Sequence, residues 1–372
     1  MKRRLLNYKP IILLLIVATC HSCTRPQRST VNLVVLQGRP VAADSGYYYG
    51  HTFLLCGNLL FTRSLSSTAT CNVSQLFGDS LINWQEGFRR GHGRNEFQEV
   101  ALGSGCDSSV YIAAFPSTFN RLLSVTKTGK AESIGAVKAP ESWIRYDLTG
   151  LPSFNCTFNN FNLLSDSTML VLGAPFGDIE HLMTIINFKN QTLKPLDYWP
   201  EDNSPCGGFP KHSVYTDNCK ILKGADDRFL YICGEGNFAF IFGIKGTTVK
   251  VIKELYSLRP EYDYMGDDKI GRMNYTIKNR PTRRFSSTTN DSHIYLFQHE
   301  KDKDGNIAPT WRTAFYGNIM EVYDWEGNLE KKMELDELGF EILVTESDDL
   351  LYLFAEDKET GEPQIWAYDL RD

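Results

Sequence analysis

The residues best equipped for chemistry lie in a basic and aromatic stretch, Lys269 to Phe285 (KIGRMNYTIKNRPTRRF), where Arg272, Arg280, Arg283 and Arg284 interleave with Tyr275. Guanidinium groups fork onto anionic oxygens and aromatic faces attract cations, so this composition fits a rim or axial channel that receives an anionic ligand, a glycan or an acidic partner segment. The plainer alternative is a solvated loop and edge strand defended by positive charge. Tyr262, Tyr264 and Trp311 are expected nearby. Other signals are thin. Glu300 to Asn306 (EKDKDGN) alternates acids like the start of a calcium loop, but counting from Asp302 puts Thr313 where the bidentate glutamate belongs, so a hairpin tip fits better. The chain has no G-x-S-x-G elbow and no H-E-x-x-H or H-x-H pair among its seven histidines. We therefore expect no metal, no cofactor and no catalytic residue; a dispersed Ser-His-Asp triad leaves no local signature.

These residues need a scaffold, and its pattern is β. At 372 residues with 12% aromatics there is chain for a large core. The net charge of −6 argues against a nucleic-acid partner, because phosphate binding wants a basic surface. Met320 to Leu335 (MEVYDWEGNLEKKMEL) reads as two strands about the turn Trp325-Glu326-Gly327-Asn328. Looser hairpins recur at Leu122 to Ile134, Met183 to Leu196 and Phe240 to Ile252, with a last strand from Ile365. A polar residue precedes an apolar strand at Asp107, Asp166, Asp227, Asp291 and Asp349, starts that are 59, 61, 64 and 58 residues apart. That period accommodates four strands and their loops, the signature of a β-propeller.

With one earlier unit starting near Gly50, six blades of four antiparallel strands fit. The final unit supplies about two strands, while Val31 to Gln37 is a strand without a hairpin partner; adding it to the C-terminal blade would close the ring and remove both exposed edges. Five or seven blades follow if Pro260 to Arg284 hides a strand pair or is one long loop. A short helix near Asp336 to Gly339 competes with strand, and Gly207-Gly208-Phe209 reads as a link between blades. Of nine cysteines, Cys56, Cys71 and Cys233 stand among apolar residues and read as core, whereas Cys106, Cys156, Cys206 and Cys219 lie near turn residues and could pair in an oxidising compartment, Cys206 with Cys219 first.

Lys2, Arg3 and Arg4 followed by the short apolar run Ile11 to Ala18 read as a cleaved export signal. Residues 1–22 form this segment, 23–30 a flexible tether, and 31–372 a single propeller domain. The sequence around Cys20 and Cys23 resembles the lipobox of bacterial lipoproteins: Val17 and Ala18 suit Cys20 although Thr19 departs from the pattern, and Ser22 suits Cys23 although His21 and Cys20 do not. The resemblance implies a lipid on Cys20 or Cys23 and anchoring without a transmembrane helix. Asn83 to Phe97 (NWQEGFRRGHGRNEF) is similar to a loop of six-bladed, TolB-like or NHL-like propeller lipoproteins of Bacteroidetes, matching at Arg90, Gly91, Gly93, Glu96 and Phe97 and differing at His92, Arg94 and Asn95. From the residues alone, Gly91 and Gly93 permit a tight connection and Glu96 accepts bonds from backbone or Arg90, a better fit than a phosphate loop, since no strand-to-helix context follows. The resemblance implies an envelope protein, on the periplasmic side because no acidic export cluster follows the cysteine, and carries over no catalytic residue. The expected function is non-catalytic binding or scaffolding of a protein, peptide or glycan. The alternative is a hydrolase or lyase acting on a sugar or lactone in the axial channel.

Overall fold

The computed structural model describes residues 33–43, 52–64, 66–105, 107–116, 121–153, 161–175, 178, 180–202, 208–216, 218–264, 275–278, 285–298, 316–357 and 360–371. The expected export segment and tether and both candidate lipid cysteines lie outside these residues, as do Glu300 to Asn306 and Trp311; Leu33 to Asp372 forms one unit.

Three short strands come first, β1 (Leu33–Leu36), β2 (Arg39–Pro40) and β3 (Ala42–Ala43). Blade 1 follows with β4 (Thr52–Cys56), β5 (Leu59–Arg63), β6 (Cys71–Phe77) and β7 (Ser80–Glu86). Blade 2 holds β8 (Glu99–Ser104), β9 (Ser109–Phe115), β10 (Ser124–Lys130) and β11 (Ile144–Asp147), with helix α1 (Ile134–Lys138) before β11. Blade 3 is β12 (Phe161–Ser165), β13 (Thr168–Leu172), β14 (Met183–Asn187) and β15 (Thr192–Pro195). Helix α2 (Gly208–Thr216) leads into blade 4, which is β16 (Lys220–Lys223), β17 (Arg228–Cys233), β18 (Asn237–Lys245) and β19 (Thr248–Leu258). A separate ribbon, β20 (Tyr262–Tyr264) with β21 (Tyr275–Ile277), precedes blade 5: β22 (Phe285–Thr289), β23 (His293–Gln298), β24 (Gly317–Asp324) and β25 (Leu329–Gly339). Blade 6 has β26 (Glu341–Val344), β27 (Leu350–Glu356) and β28 (Pro363–Asp369). The chain is thus a six-bladed β-propeller, and the ribbon in the Pro260 to Arg284 insertion belongs to no blade.

Burial explains the order of strands within a blade. The second strands β9, β17, β23 and β27 are buried almost throughout, while the outermost strands β11, β15 and β19 are half exposed. A strand sandwiched between neighbouring blades must be apolar on both faces. Alternation then assigns each side chain to a seam: Tyr111, Ala113 and Phe115 pack with blade 3, and Val110, Ile112 and Ala114 with blade 1. Among the described residues the apolar core divides into six clusters, one per seam.

The Asp-led repeat phase marks the turn between the first two strands of blades 2 to 6. Ser108, Asp226, Asp227 and Asp348 there have φ of 53–61°, a region that short polar side chains reach most cheaply after glycine. The hairpins at Met320, Met183 and Phe240 are present. Leu122 to Ile134 is not one: after β10 the chain turns into α1, whose first turn is capped by Ser133 Oγ accepting from Ala136 N–H at 3.2 Å. Asp336 to Gly339 is strand, not helix, because β25 continues through it to a cross-strand partner at Gly317.

Ring closure uses the N-terminal segment, but not as Val31 to Gln37 alone suggested. β1 runs parallel to β25, Leu33 facing Lys332 and Leu36 facing Leu335, and so extends blade 5. At Gly38 the chain crosses to the next blade, its N–H donating to Asp336 Oδ1 at 3.0 Å, and a Cβ there would collide with the Tyr368 ring. β2 then supplies the fourth strand of blade 6, Arg39 facing Ala367, and β3 pairs parallel with β7 of blade 1. Three consecutive edges are covered by one strap, and the last blade is fastened to the first.

Candidate functional site

Chemistry-bearing side chains converge where blade 3 meets blade 4. In the connection between β13 and β14, Gly173 N–H donates to Leu182 O at 2.7 Å and Thr184 Oγ to Gly173 O at 2.8 Å, which pins both ends of the loop. Within it Asp178 Oδ1 accepts from Glu180 N–H at 3.0 Å and both carboxylate oxygens lie 2.8–2.9 Å from His181 Nδ1. Donation from Nδ1 leaves Nε2 facing Asp197 Oδ1 at 3.9 Å. Asp197 is fixed in turn by blade 4, its N–H bonding Thr247 O at 2.9 Å and its Oδ2 accepting from the Thr247 hydroxyl at 2.6 Å.

The connection from β15 to β16 supplies the rest. Helix α2 carries Lys211, His212 and Tyr215 under the Trp199 ring, with Lys211 Nζ 5.2 Å from the indole centroid and the His212 and Tyr215 rings at 5.9 and 6.0 Å. Asp202, its carboxylate almost wholly buried, lies 3.9 Å from Lys211 Nζ and accepts from Tyr262 O–H at 3.1 Å. His212 and Tyr215 are buried; among the described residues His212 Nε2 has no hydrogen-bond partner, while the Tyr215 hydroxyl lies beside the Asp202 carboxylate. Burial pushes the His212 imidazole down to about 4, against a smaller opposing pull from Asp178, so the ring is neutral at pH 7. Burial, then the nearby Asp202, pushes the Tyr215 hydroxyl far above its usual range.

Of the five candidate ligand-binding residues, Tyr275 is described. It faces Tyr264 across the β20–β21 ribbon and packs, half buried, against the cluster that contains Tyr215 and Tyr262. Tyr262 also packs at this junction, while Arg272, Arg280, Arg283 and Arg284 lie outside the described residues. Asp178, His181, Trp199, Asp202, Lys211 and His212 escaped the sequence reading. The one local signal is Asp178 three residues before His181; the others converge only through two separate loops.

The Gly-Arg loop is structural. Glu96 Oε2 accepts from Gly93 N–H at 2.9 Å, and the same carboxylate folds closely over Gly91. Arg90 pairs with Glu99 at 3.2 Å and donates to Gln98 O at 2.8 Å, not to Glu96. Cys56, Cys71, Cys219 and Cys233 are buried thiols; Cys106, Cys156 and Cys206 lie outside the described residues. Among the described residues no group of three or more His, Cys, Asp or Glu side chains is placed to hold a metal ion.

No protein-family model and no curated protein matches the chain. Solved structures do. A member of the DUF4221 family from Bacteroides vulgatus superposes with a TM-score of 0.56 at 10% identity, over 91% of this chain and 97% of that one. A structural-genomics protein of unknown function from Bacteroides thetaiotaomicron gives a TM-score of 0.45 at 10% identity, over 89% and 75%. At such identity the first of these similarities establishes the fold: a six-bladed β-propeller.

Proposed function

We propose that the chain is a binding propeller of the bacterial cell envelope, held at the membrane by lipid on Cys20 or Cys23, that engages a glycan at the junction of blades 3 and 4. The observation that carries this is the cluster of Trp199, Lys211, His212, Tyr215 and Asp202: a partly exposed indole beside one cation, one buried carboxylate next to a tyrosine hydroxyl, and a buried ring nitrogen, His212 Nε2, with no hydrogen-bond partner among the described residues. An aromatic face with a few fixed donors and acceptors is the usual makeup of a small-ligand site. A buried polar group left without a bond costs about 1–3 kcal/mol, a cost that a ligand hydroxyl reaching His212 Nε2 would relieve. A peptide or a protein surface is the other occupant of the same binding class.

The axial-channel hydrolase or lyase has less support. On the innermost strands Asn162 donates to Ile221 O, Lys223 to Leu163 O and Thr289 to Lys223 O, at 2.9–3.0 Å. These polar side chains act as clasps between blades 3, 4 and 5.

The test is a screen of the purified full chain against arrayed envelope glycans and peptides, repeated with Trp199→Ala. Binding to a glycan that weakens at least about tenfold in the variant, roughly 1.4 kcal/mol, supports the site. Equal binding by wild type and variant, or a response confined to peptides, overturns it. Anchoring is tested separately by intact mass of membrane-fraction protein: a lipid increment lost in either Cys20→Ala or Cys23→Ala is expected, and an unmodified soluble chain refutes it.

A further inference from the structure

We infer that Cys219 and Cys233 are partners in a cross-strand disulfide that closes when the chain folds under oxidising conditions. β16 and β17 are antiparallel with Lys220 facing Ile232, so one step outward Cys219 faces Cys233. Facing residues of an antiparallel ladder have Cα atoms about 4.5–5.5 Å apart and side chains on the same face. That lies inside the separation of about 4.4–6.8 Å that a disulfide accepts. The side chains meet the requirement too: both sulphurs donate to one acceptor, Val214 O, at 3.7 and 3.8 Å. The close approach continues beyond the pair, where a Cβ on Gly234 would overlap the Asn218 carbonyl oxygen. The bridge fastens β17 to the chain leaving α2, the helix that carries Lys211, His212 and Tyr215.

The chemistry is thiol–disulfide exchange with a small-molecule or protein disulfide as oxidant. One cysteine thiolate attacks a sulphur of the oxidant and expels one thiolate; the second cysteine thiolate then attacks the mixed disulfide and expels the other. Two protons pass to the departing thiolates and two electrons to the oxidant. Burial, then the neighbouring Cys233 sulphur, holds the Cys219 thiol well above its usual range, so the reactive thiolate is scarce in the sealed core. Closure belongs to folding, before the core seals.

The inference stands apart from the binding site and competes directly with the pairing of Cys206 and Cys219 expected from the sequence. The reduced, denatured full chain is refolded in a reduced/oxidised glutathione buffer, alkylated with iodoacetamide in denaturant, digested and mapped. The expected product is a peptide pair joined through Cys219 and Cys233, about 2 Da lighter than its two thiol halves, with Cys56 and Cys71 alkylated. Protein folded under reducing conditions and then held in the same buffer should yield the same pair more slowly. Alkylation of both Cys219 and Cys233 after both treatments, or Cys219 joined to Cys206, overturns the assignment.

Discussion

Charged groups link neighbouring blades at several seams, and at two of them they do so in opposite surroundings. Between blades 4 and 5, Glu321 is 5% exposed and accepts hydrogen bonds from Tyr256 and Tyr323 O–H, the latter at 2.7 Å, while Lys332 Nζ lies 2.6 Å away. Gln298 extends the network to the Tyr256 hydroxyl at 3.0 Å, and in the same seam Trp325 packs on Gly224 and donates to Asn290 O at 3.1 Å. Between blades 2 and 3, Lys127 Nζ pairs with Asp107 at 2.7 Å inside its own blade and reaches Asp166 of the next blade only at 3.8 Å, where Asp166 is 74% exposed. Both seams also pack apolar side chains, and their charged links differ in exposure to water: Glu321 is buried and Asp166 is not. A buried network fixes geometry because breaking it strands polar groups; an exposed pair gives up little that solvent does not replace.

The sharpest way to break that contrast is Glu321→Ala. It leaves the hydroxyls of buried Tyr323 and half-buried Tyr256 without their acceptor and opens a gap, so a loss of about 3–5 kcal/mol in denaturant unfolding is expected. A loss below about 1 kcal/mol would mean water already enters the seam. Burial by itself would raise the Glu321 carboxyl, but bonds from Lys332, Tyr256 and Tyr323 outweigh it and hold the group below its usual range. The stabilisation is therefore present above the unfolded carboxyl value, near 4.3, and is lost as pH falls through the lower folded value.

The same rule reaches the candidate site through His212, a buried titratable group with no counter-ion bonded to it. Its folded value near 4 lies below the ordinary 6.5, so the unfolded chain takes up the proton first as pH falls. Stability should be full above about pH 6.5, drop by about 3 kcal/mol on the way to pH 4, and level off below. His212→Phe should remove that part of the slope while leaving the descent due to carboxylates. If the pH dependence of unfolding between 6.5 and 4 is the same in wild type and variant, the ring is not sealed from solvent, and the contrast between wet and dry regions does not extend to α2.

How much of this was legible in the sequence follows from which contacts are local. The turns at Asp107, Asp166, Asp227, Asp291 and Asp349 were readable because turn chemistry and the apolar strand behind it sit within a few residues. Blade number followed from their spacing. That the N-terminal segment closes the ring was inferable from unpaired edges, but not that Leu33 would face Lys332 and Arg39 face Ala367, since pairing across some 300 residues leaves no periodic trace. Helix α2 was hidden by Gly208 and Pro210, which read as loop although proline is tolerated in a first helical turn. The site was mostly invisible: Asp178 and His212 stand 34 residues apart, and only the seam between blades brings their loops together.

The smallest expected effect tests the other side of the comparison. Asp166→Ala removes the only charged contact seen between Lys127 and blade 3 among the described residues and leaves the Lys127–Asp107 pair intact. If solvent sets the worth of the link, the change in unfolding free energy stays within about 0.5 kcal/mol in dilute buffer and vanishes near 1 M salt, where charges are screened within about 3 Å. The seam's apolar residues, Tyr111 and Phe188 among them, hold blades 2 and 3 together without it. A loss above about 1.5 kcal/mol that persists in salt would show that the Asp166 contact is shielded like the Glu321 network, and exposure would then no longer explain why the two seams differ.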